Sequence, residues 1–268
     1  MKVGIISRMT SSYVDTPSLV FDGVSTIAES TSKNSAVAAL NSITFYISKG
    51  EALGLISRVT DGANAVIQLL AGTDQPSKGV VLVRSRIAWL DQSTELDVGE
   101  TLRVGLTRTA MNLGINGKKL KNTVSAVLTE LDLELHAETV VGEMEAVDAE
   151  RARLLAVLSA DPDLLIIRNP PARGAAIVEE QGRYIIGQYL ERGGSVLVVE
   201  EAPRIMRRIC QRMVWLRDGE IIMDGPRTYV SREFNRSISF ASDKTKLAQL
   251  FRRFKRQYIG VELELIEK

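Results

Sequence analysis

Between Gly54 and Gly72 the chain reads GLISRVTDGANAVIQLLAG, a short apolar strand, a loop closed by Gly62, and a helix with apolar residues at helical spacing. A strand that runs through a glycine-bounded loop into a helix is the frame of a phosphate-binding loop. In such a loop backbone N–H groups and the helix N-terminus cradle the phosphates, a Lys offsets the β/γ charge, and a Ser/Thr hydroxyl holds Mg²⁺. Here Ala63, Asn64 and Ala65 stand where those polar side chains belong. An alanine supplies none of that chemistry, so the sequence keeps the frame and removes what it does.

The rest of the chain extends this frame into an α/β fold. Ser18 to Ile27 and Ala36 to Ile47 read as two strands around a polar loop, forming an antiparallel flank. Ala52 to Ile56 is a buried strand, and Val80 to Val83 and Arg86 to Leu90 are further strands. From about residue 93 to 160 the pattern is helical. Within it, GKKLKNTVSAVLTELDLE places Leu120, Val124, Val127, Leu128 and Leu131 on one face. Leu164 to Ile167 is a continuous apolar run bounded by turn residues, as a fully buried parallel strand should be. A helix over Ala175 to Arg192, the strand SVLVV (Ser195 to Val199), a short helix near Ile205 to Cys210 and the hairpin MVWLRDGEIIMDG follow. Strands alternating with helices call for a mainly parallel core sheet.

The expected organisation is an N-terminal tail over 1–17, a domain over 18–234 with its helical lobe at about 93–160, and an extension over 235–268. The register is lost at Asn235, and a basic helix begins near Asp243 with Leu247, Leu250, Phe251, Phe254 and Tyr258 along one side. Two readings of that helix stand open: docking on its own domain, or contact with an anionic partner or membrane surface.

Composition narrows the chemistry. A net charge of +1 gives no reason to invoke nucleic acid. One cysteine, Cys210, excludes an internal disulfide framework, and one histidine, His136, argues against a His-rich metal site or a Ser/His/Asp triad. No apolar run approaches the roughly 18 residues that span a bilayer, so the expected location is the cytoplasm, peripheral to the membrane through a partner.

Taken in order and spacing, LNSITFYISKGEALGLIS, LLAGTDQPSKG, ADPDLLII and MVWLRDGEIIMDG resemble the ATP-binding cassette domain of ABC transporters, over roughly Ser18 to Val230. The fold implied is a P-loop NTPase-like cassette with a parallel core sheet, an antiparallel β flank and a helical lobe. The phrasing of ALNSITFYISKGEALGLIS, MNLGINGKKLKNTVSAVLTELDLE and RRICQRMVWLRDGEIIMDG is similar to the polysaccharide and teichoic-acid exporter branch.

Carried over residue by residue, the resemblance puts a vestigial phosphate loop on Gly54, Asp61, Gly62, Ala63, Asn64 and Ala65, with the lysine position on Ala63. The aromatic that stacks on adenine falls near Ala28. The Q-loop glutamine matches Gln92. The signature LSGGQ falls on Met144, Glu145, Ala146, Val147 and Asp148, without its paired glycines. The metal-linked aspartate position is Arg168, the catalytic glutamate position is Asn169 and the switch histidine position is Glu201. No catalytic residue and no metal site are therefore expected. No cofactor is expected either, weak ATP binding being the alternative.

These exchanges also reorganise charge. Asp61 stands just before the helix, where a carboxylate can cap free N–H groups and repel phosphate. Arg168 cannot ligate Mg²⁺ and is expected to cluster with Asp61 or Glu201. The function implied is a degenerate, pseudo-ATPase subunit that acts as a docking or assembly element in export of a cell-envelope polysaccharide or teichoic-acid-like polymer. Its implied partners are a membrane permease subunit and a second cassette, as homodimer or heterodimer. Two alternatives stand beside it. One is a divergent ATPase using Glu200 or Glu201 as general base, and the other is a cytosolic regulator that kept the fold.

Overall fold

The computed structural model describes residues 17–27, 39–168, 180–201 and 203–254 except 242, 244, 247 and 253. Its centre is a six-stranded sheet in the order β5-β6-β7-β3-β8-β9. The strands are β3 (Ala52–Ile56), β5 (Ile87–Leu90), β6 (Leu164–Arg168), β7 (Ser195–Glu200), β8 (Arg212–Arg217) and β9 (Glu220–Pro226). The first five in space run parallel, and β9 returns antiparallel to β8 as the hairpin expected from the sequence. A second sheet, β2-β1-β4, is antiparallel and consists of β1 (Leu19–Ser25), β2 (Ile43–Ile47) and β4 (Lys78–Val83). This is the predicted flank. The second flank strand starts only at Ile43, because Ser42 takes a positive φ of 51° that interrupts extension, and residues 36–38 lie outside the described residues.

Side chains alternate across the central sheet and so divide the core in two. On one face Leu55, Ile166, Leu197, Val214 and Leu216 pack with helix α1 (Ala63–Ala71) and the flank, where Phe21 and Phe45 stack with centroids 4.6 Å apart. On the other face Ile56, Ile167, Val198 and Met213 pack with the helical lobe and the C-terminal helices. The lobe consists of α2 (Leu102–Asn112), α3 (Gly117–Glu130) and α4 (Ala146–Leu158), and Val124, Val127 and Leu128 of α3 are buried as their spacing predicts. Arg212 joins the two sheets. It forms an ion pair with Asp224 on its own hairpin, another with Glu51 at 3.2 Å, and lies 4.7 Å from the Tyr46 ring centroid.

Helix α5 (Glu180–Glu191) precedes β7, α6 (Met206–Ile209) precedes β8, and α7 (Arg227–Ser239) follows β9. The expected loss of register at Asn235 does not occur: α7 runs through it without a break, because Ser231, Glu233 and Ser237 are buried along with Val230 and carry the helical period with polar side chains. The C-terminal basic segment docks on its own domain, the first of its two readings. Asp243 accepts from the N–H groups of Thr245 and Lys246 at its start, and Leu250 and Phe254 are buried. Trp215 meets the rings of Phe234, Phe251 and Phe254 edge-on, at centroid separations of 5.2, 5.6 and 6.3 Å. No helix among the described residues is long and apolar enough to cross a membrane.

Candidate functional site

Strand β3 ends at Ile56 and the chain enters Ser57 and Arg58, a single 3₁₀ turn over Val59–Asp61, then Gly62 and α1. Gly62 has φ 117°, which only glycine adopts without strain. A Cβ there would stand 2.9 Å from Leu40 Cδ2 and 3.1 Å from Leu216 Cδ2, so the loop is drawn tightly against the apolar core. The Gly62 carbonyl accepts from Val66 N at 3.1 Å and opens the helix.

The polar positions of this loop have turned inward or paired with each other. Ala63 and Ala65 are 6% and 3% exposed and belong to the core packed around α1. Asn64 is half-buried on the first turn, and its Oδ1 accepts from Arg168 Nη2 at 2.7 Å. Arg168 ends β6 opposite Val199 of β7, so its guanidinium reaches past the end of β7 to α1.

The expected clustering of Arg168 with Asp61 or Glu201 is thereby corrected: among the described residues its hydrogen-bond partner is Asn64. Asp61 pairs instead with Arg58, at 3.7 Å, and its carbonyl accepts from Gly219 N at 3.0 Å. Nor does the Asp61 side chain cap α1, because the cap position is Gly62 and no side-chain bond closes it. Burial raises the Asp61 carboxyl above its ordinary range, an effect that Arg58 opposes and Asp218 reinforces.

Glu200 closes β7, and its carbonyl accepts from Ser57 N at 3.0 Å. Burial pushes its carboxyl up to about 7, with Arg204 opposing and Glu201 adding to the rise. A carboxyl whose folded value is raised stabilises the fold at low pH and loses that contribution as the unfolded chain, and then the folded one, ionises. The stability of the protein should therefore fall as pH rises from about 4.5 to about 7, and Glu200→Gln should flatten that slope in urea unfolding across the same range. Glu201 is exposed. It lines a cavity of about 440 Å³ together with Ser57, Arg58 and Asp61.

The remaining predicted positions lie on other elements. Gln92 follows β5 and begins a 3₁₀ turn capped by Asp91, whose side chain accepts from Ser93 N at 2.9 Å. Met144 and Glu145 lead into α4, and Ala146, Val147 and Asp148 form its first turn, where Asp148 pairs with Arg151 at 3.2 Å. Ala28 and Asn169 lie outside the described residues.

Two features escaped sequence reasoning. Trp215 and Arg217 enter the cavity from β8, in the run MVWLR, and both face the helical side. Arg153 is fully buried in α4; an arginine followed directly by the apolar run LLAVL in ERARLLAVL was the available signal.

The sheet order, with the loop strand β3 between β7 and β8 and the helical lobe inserted between β5 and β6, can be compared with known proteins. A structure of cbiO1 from Clostridium perfringens, part of the ABC transporter complex cbiONQ, matches 88% of this chain and 99% of its own at a TM-score of 0.62 and 16% identity. A dimeric ATP-binding cassette in a post-hydrolysis state with ADP and Pi matches 78% of this chain at a TM-score of 0.58 and 16% identity. In sequence, the methionine import ATP-binding protein MetN 2 of Paraburkholderia xenovorans is 23% identical over 78% of this chain and 58% of its own length. The fold of this chain is that of an ATP-binding cassette.

A Nod factor export ATP-binding protein I of Burkholderia pseudomallei is 24% identical over 72% of this chain and 68% of that protein. An O-antigen export system ATP-binding protein, RfbB of Klebsiella pneumoniae, is 25% identical over 66% of this chain and 73% of its own. The chain spans less than two thirds of the length of the methionine-import relative it matches. No protein-family profile matches it.

The residues present do not fit Mg²⁺. At the strand end where the family resemblance puts a carboxylate, a guanidinium donates to an amide oxygen, and a cation cannot share that position with a second one. Among the described residues no group of three or more His, Cys, Asp or Glu side chains could hold a metal ion.

Proposed function

We propose that this cassette is a pseudo-ATPase subunit of an ABC transporter, a docking or assembly element that keeps the fold without turning over nucleotide. The observation that carries the reading is the Arg168–Asn64 hydrogen bond at the first turn of α1, beside the buried Ala63 and Ala65. The lysine, hydroxyl and carboxylate positions of a working site are there occupied by core packing and by an internal cation–amide bond. A phosphate approaching α1 keeps the helix N-terminus but loses the side-chain part of its binding.

The names of the Nod factor and O-antigen export relatives support an export role; a cell-envelope polysaccharide or teichoic-acid-like cargo rests on the sequence resemblance. The partners proposed are a membrane permease subunit, met through the helical lobe and the Gln92 turn, and a second cassette. The protein would then be peripheral at the inner face of the membrane. Affinity purification of the full chain from its native membranes is expected to bring down an ABC-type permease. A chain recovered only from the soluble fraction, without such a partner, would contradict the docking role.

One observation favours a divergent ATPase as a second reading. Glu200, raised to about 7, is poised as a general base would be. Steady ATP turnover by the pure protein that disappears in Glu200→Gln would establish that reading in place of the first.

A further inference from the structure

We propose that the end of the helical lobe where α2 meets α3 is a membrane-contact surface, with its lysines over anionic lipid headgroups and Met111 and Val104 at the headgroup boundary. Charge is segregated in this part of the chain. Residues 101–129 include Arg103, Arg108, Lys118, Lys119 and Lys121 and no acidic residue, although the net charge of the whole sequence is only +1. The loop over 113–116 turns back on α2: the Met111 carbonyl accepts from Gly114 N at 2.9 Å and the Ala110 carbonyl from Ile115 N at 3.0 Å. Met111 in the last turn of α2 and the lysines in the first turns of α3 therefore share one end of the helix pair.

The arginines and the lysines are used differently. Arg103 pairs with Glu138 and Arg108 with Glu100, so both guanidinium charges are balanced within the fold. Lys118, Lys119 and Lys121 are exposed, and none makes an ion pair within 4 Å among the described residues. They crowd the start of α3, where the helix dipole disfavours cations, so their placement costs the helix rather than supporting it. Three flexible ammonium groups with no fixed partner suit a diffuse layer of negative charge. A defined carboxylate on a protein partner is better met by the planar fork of arginine. That difference favours a lipid surface over an acidic protein segment.

The apolar part lies beside the cations. Val104 and Met111 are each 52% exposed and stand two turns apart on one side of α2. They line an open groove with Thr107 and Asn112, flanked by the stems of Arg103 and Arg108. Apolar side chains rimmed by long basic ones are the pattern of a surface that lies on a bilayer: the apolar groups enter the headgroup boundary and the cations stay at phosphate level. The bilayer itself is the partner here, so failure of this contact leaves the permease reading standing.

The test is co-sedimentation of the full chain with protein-free vesicles of phosphatidylcholine, with and without about 30 mol% phosphatidylglycerol. We expect binding to the anionic vesicles, at least about tenfold weaker binding to phosphatidylcholine alone, and loss of binding at about 0.5 M salt. The triple variant Lys118→Gln, Lys119→Gln, Lys121→Gln should bind at least about tenfold more weakly, since each lysine near such a surface contributes roughly fivefold. Met111→Gln should weaken binding about threefold. All four positions are exposed, so both variants should fold normally, which circular dichroism checks. The double variant Lys246→Gln, Arg252→Gln in the C-terminal basic segment should bind like the parent. No sedimentation with anionic vesicles, equal binding to both vesicles, unchanged binding of either lobe variant, or a loss confined to the C-terminal variant would each overturn the proposal. So would tighter binding of poly-L-glutamate than of the vesicles, which would assign the surface to an acidic protein.

Discussion

Gly219→Ala should lower the free energy of unfolding by about 3 kcal/mol or more, among the larger effects a single methyl group produces. Gly219 occupies the tip of the β8–β9 hairpin with φ 78°. A Cβ there would collide with the backbone oxygen of Ala39, so the left-handed strain comes with a clash against main chain that cannot swing aside. The same residue donates its N–H to the Asp61 carbonyl at 3.0 Å and accepts from Asn41 N at 2.9 Å. The hairpin tip therefore holds the loop in place, and a displaced tip should also loosen the cavity. Gly72→Ala is the control. It has φ 70° with nothing near the added Cβ, and should cost only about 1 kcal/mol. Urea unfolding of the two variants measures the difference, and equal losses would show that the contact with Ala39 carries no weight.

Arg153→Ala should cost about 3–5 kcal/mol, because it breaks a buried ion pair and empties the space of a fully buried side chain. The Arg153 side chain is 1% exposed, its Nη2 stands 2.9 Å from Glu150 Oε2, and that carboxylate is itself only 12% exposed. Arg153 Nη1 also donates to the Asp91 carbonyl at 3.1 Å, which ties α4 of the helical lobe to the turn that begins at Gln92. Arg153→Met combined with Glu150→Gln removes both charges at similar volume and should recover most of the loss in the same unfolding measurement. If the double variant were as unstable as Arg153→Ala, the cost would lie in the lost bond to Asp91 rather than in the broken ion pair.

The parts of the fold that could be read from sequence are those whose burial is complete. ALGLI, LLII and SVLVV are apolar on both faces, and only the centre of a parallel sheet accepts such strands, so β3, β6 and β7 follow from composition alone. The flank and the amphipathic helix of the lobe were equally plain, since each shows one apolar face. Helix α7 was hidden at Asn235 because serines and a glutamate fill its buried positions.

At the loop, the exchanges at Ala63, Asn64, Ala65, Arg168 and Glu201 were visible as residue types, but their partners were not. Charge alone matched Arg168 with an acid. Chain geometry gave it Asn64, while Asp61 was turned toward Arg58 and the hairpin tip. The cavity could not be foreseen at all, since it depends on the register of β8 with β3 and on the angle at which α7 passes them.

The most direct test of a cassette kept without its nucleotide is calorimetric titration of the full chain with ATP, once with Mg²⁺ and once with chelator, at concentrations that detect millimolar affinity. The Arg168–Asn64 bond and the buried Ala63 predict no binding tighter than about 1 mM and no difference between the two titrations. Micromolar binding that requires Mg²⁺ would contradict the account.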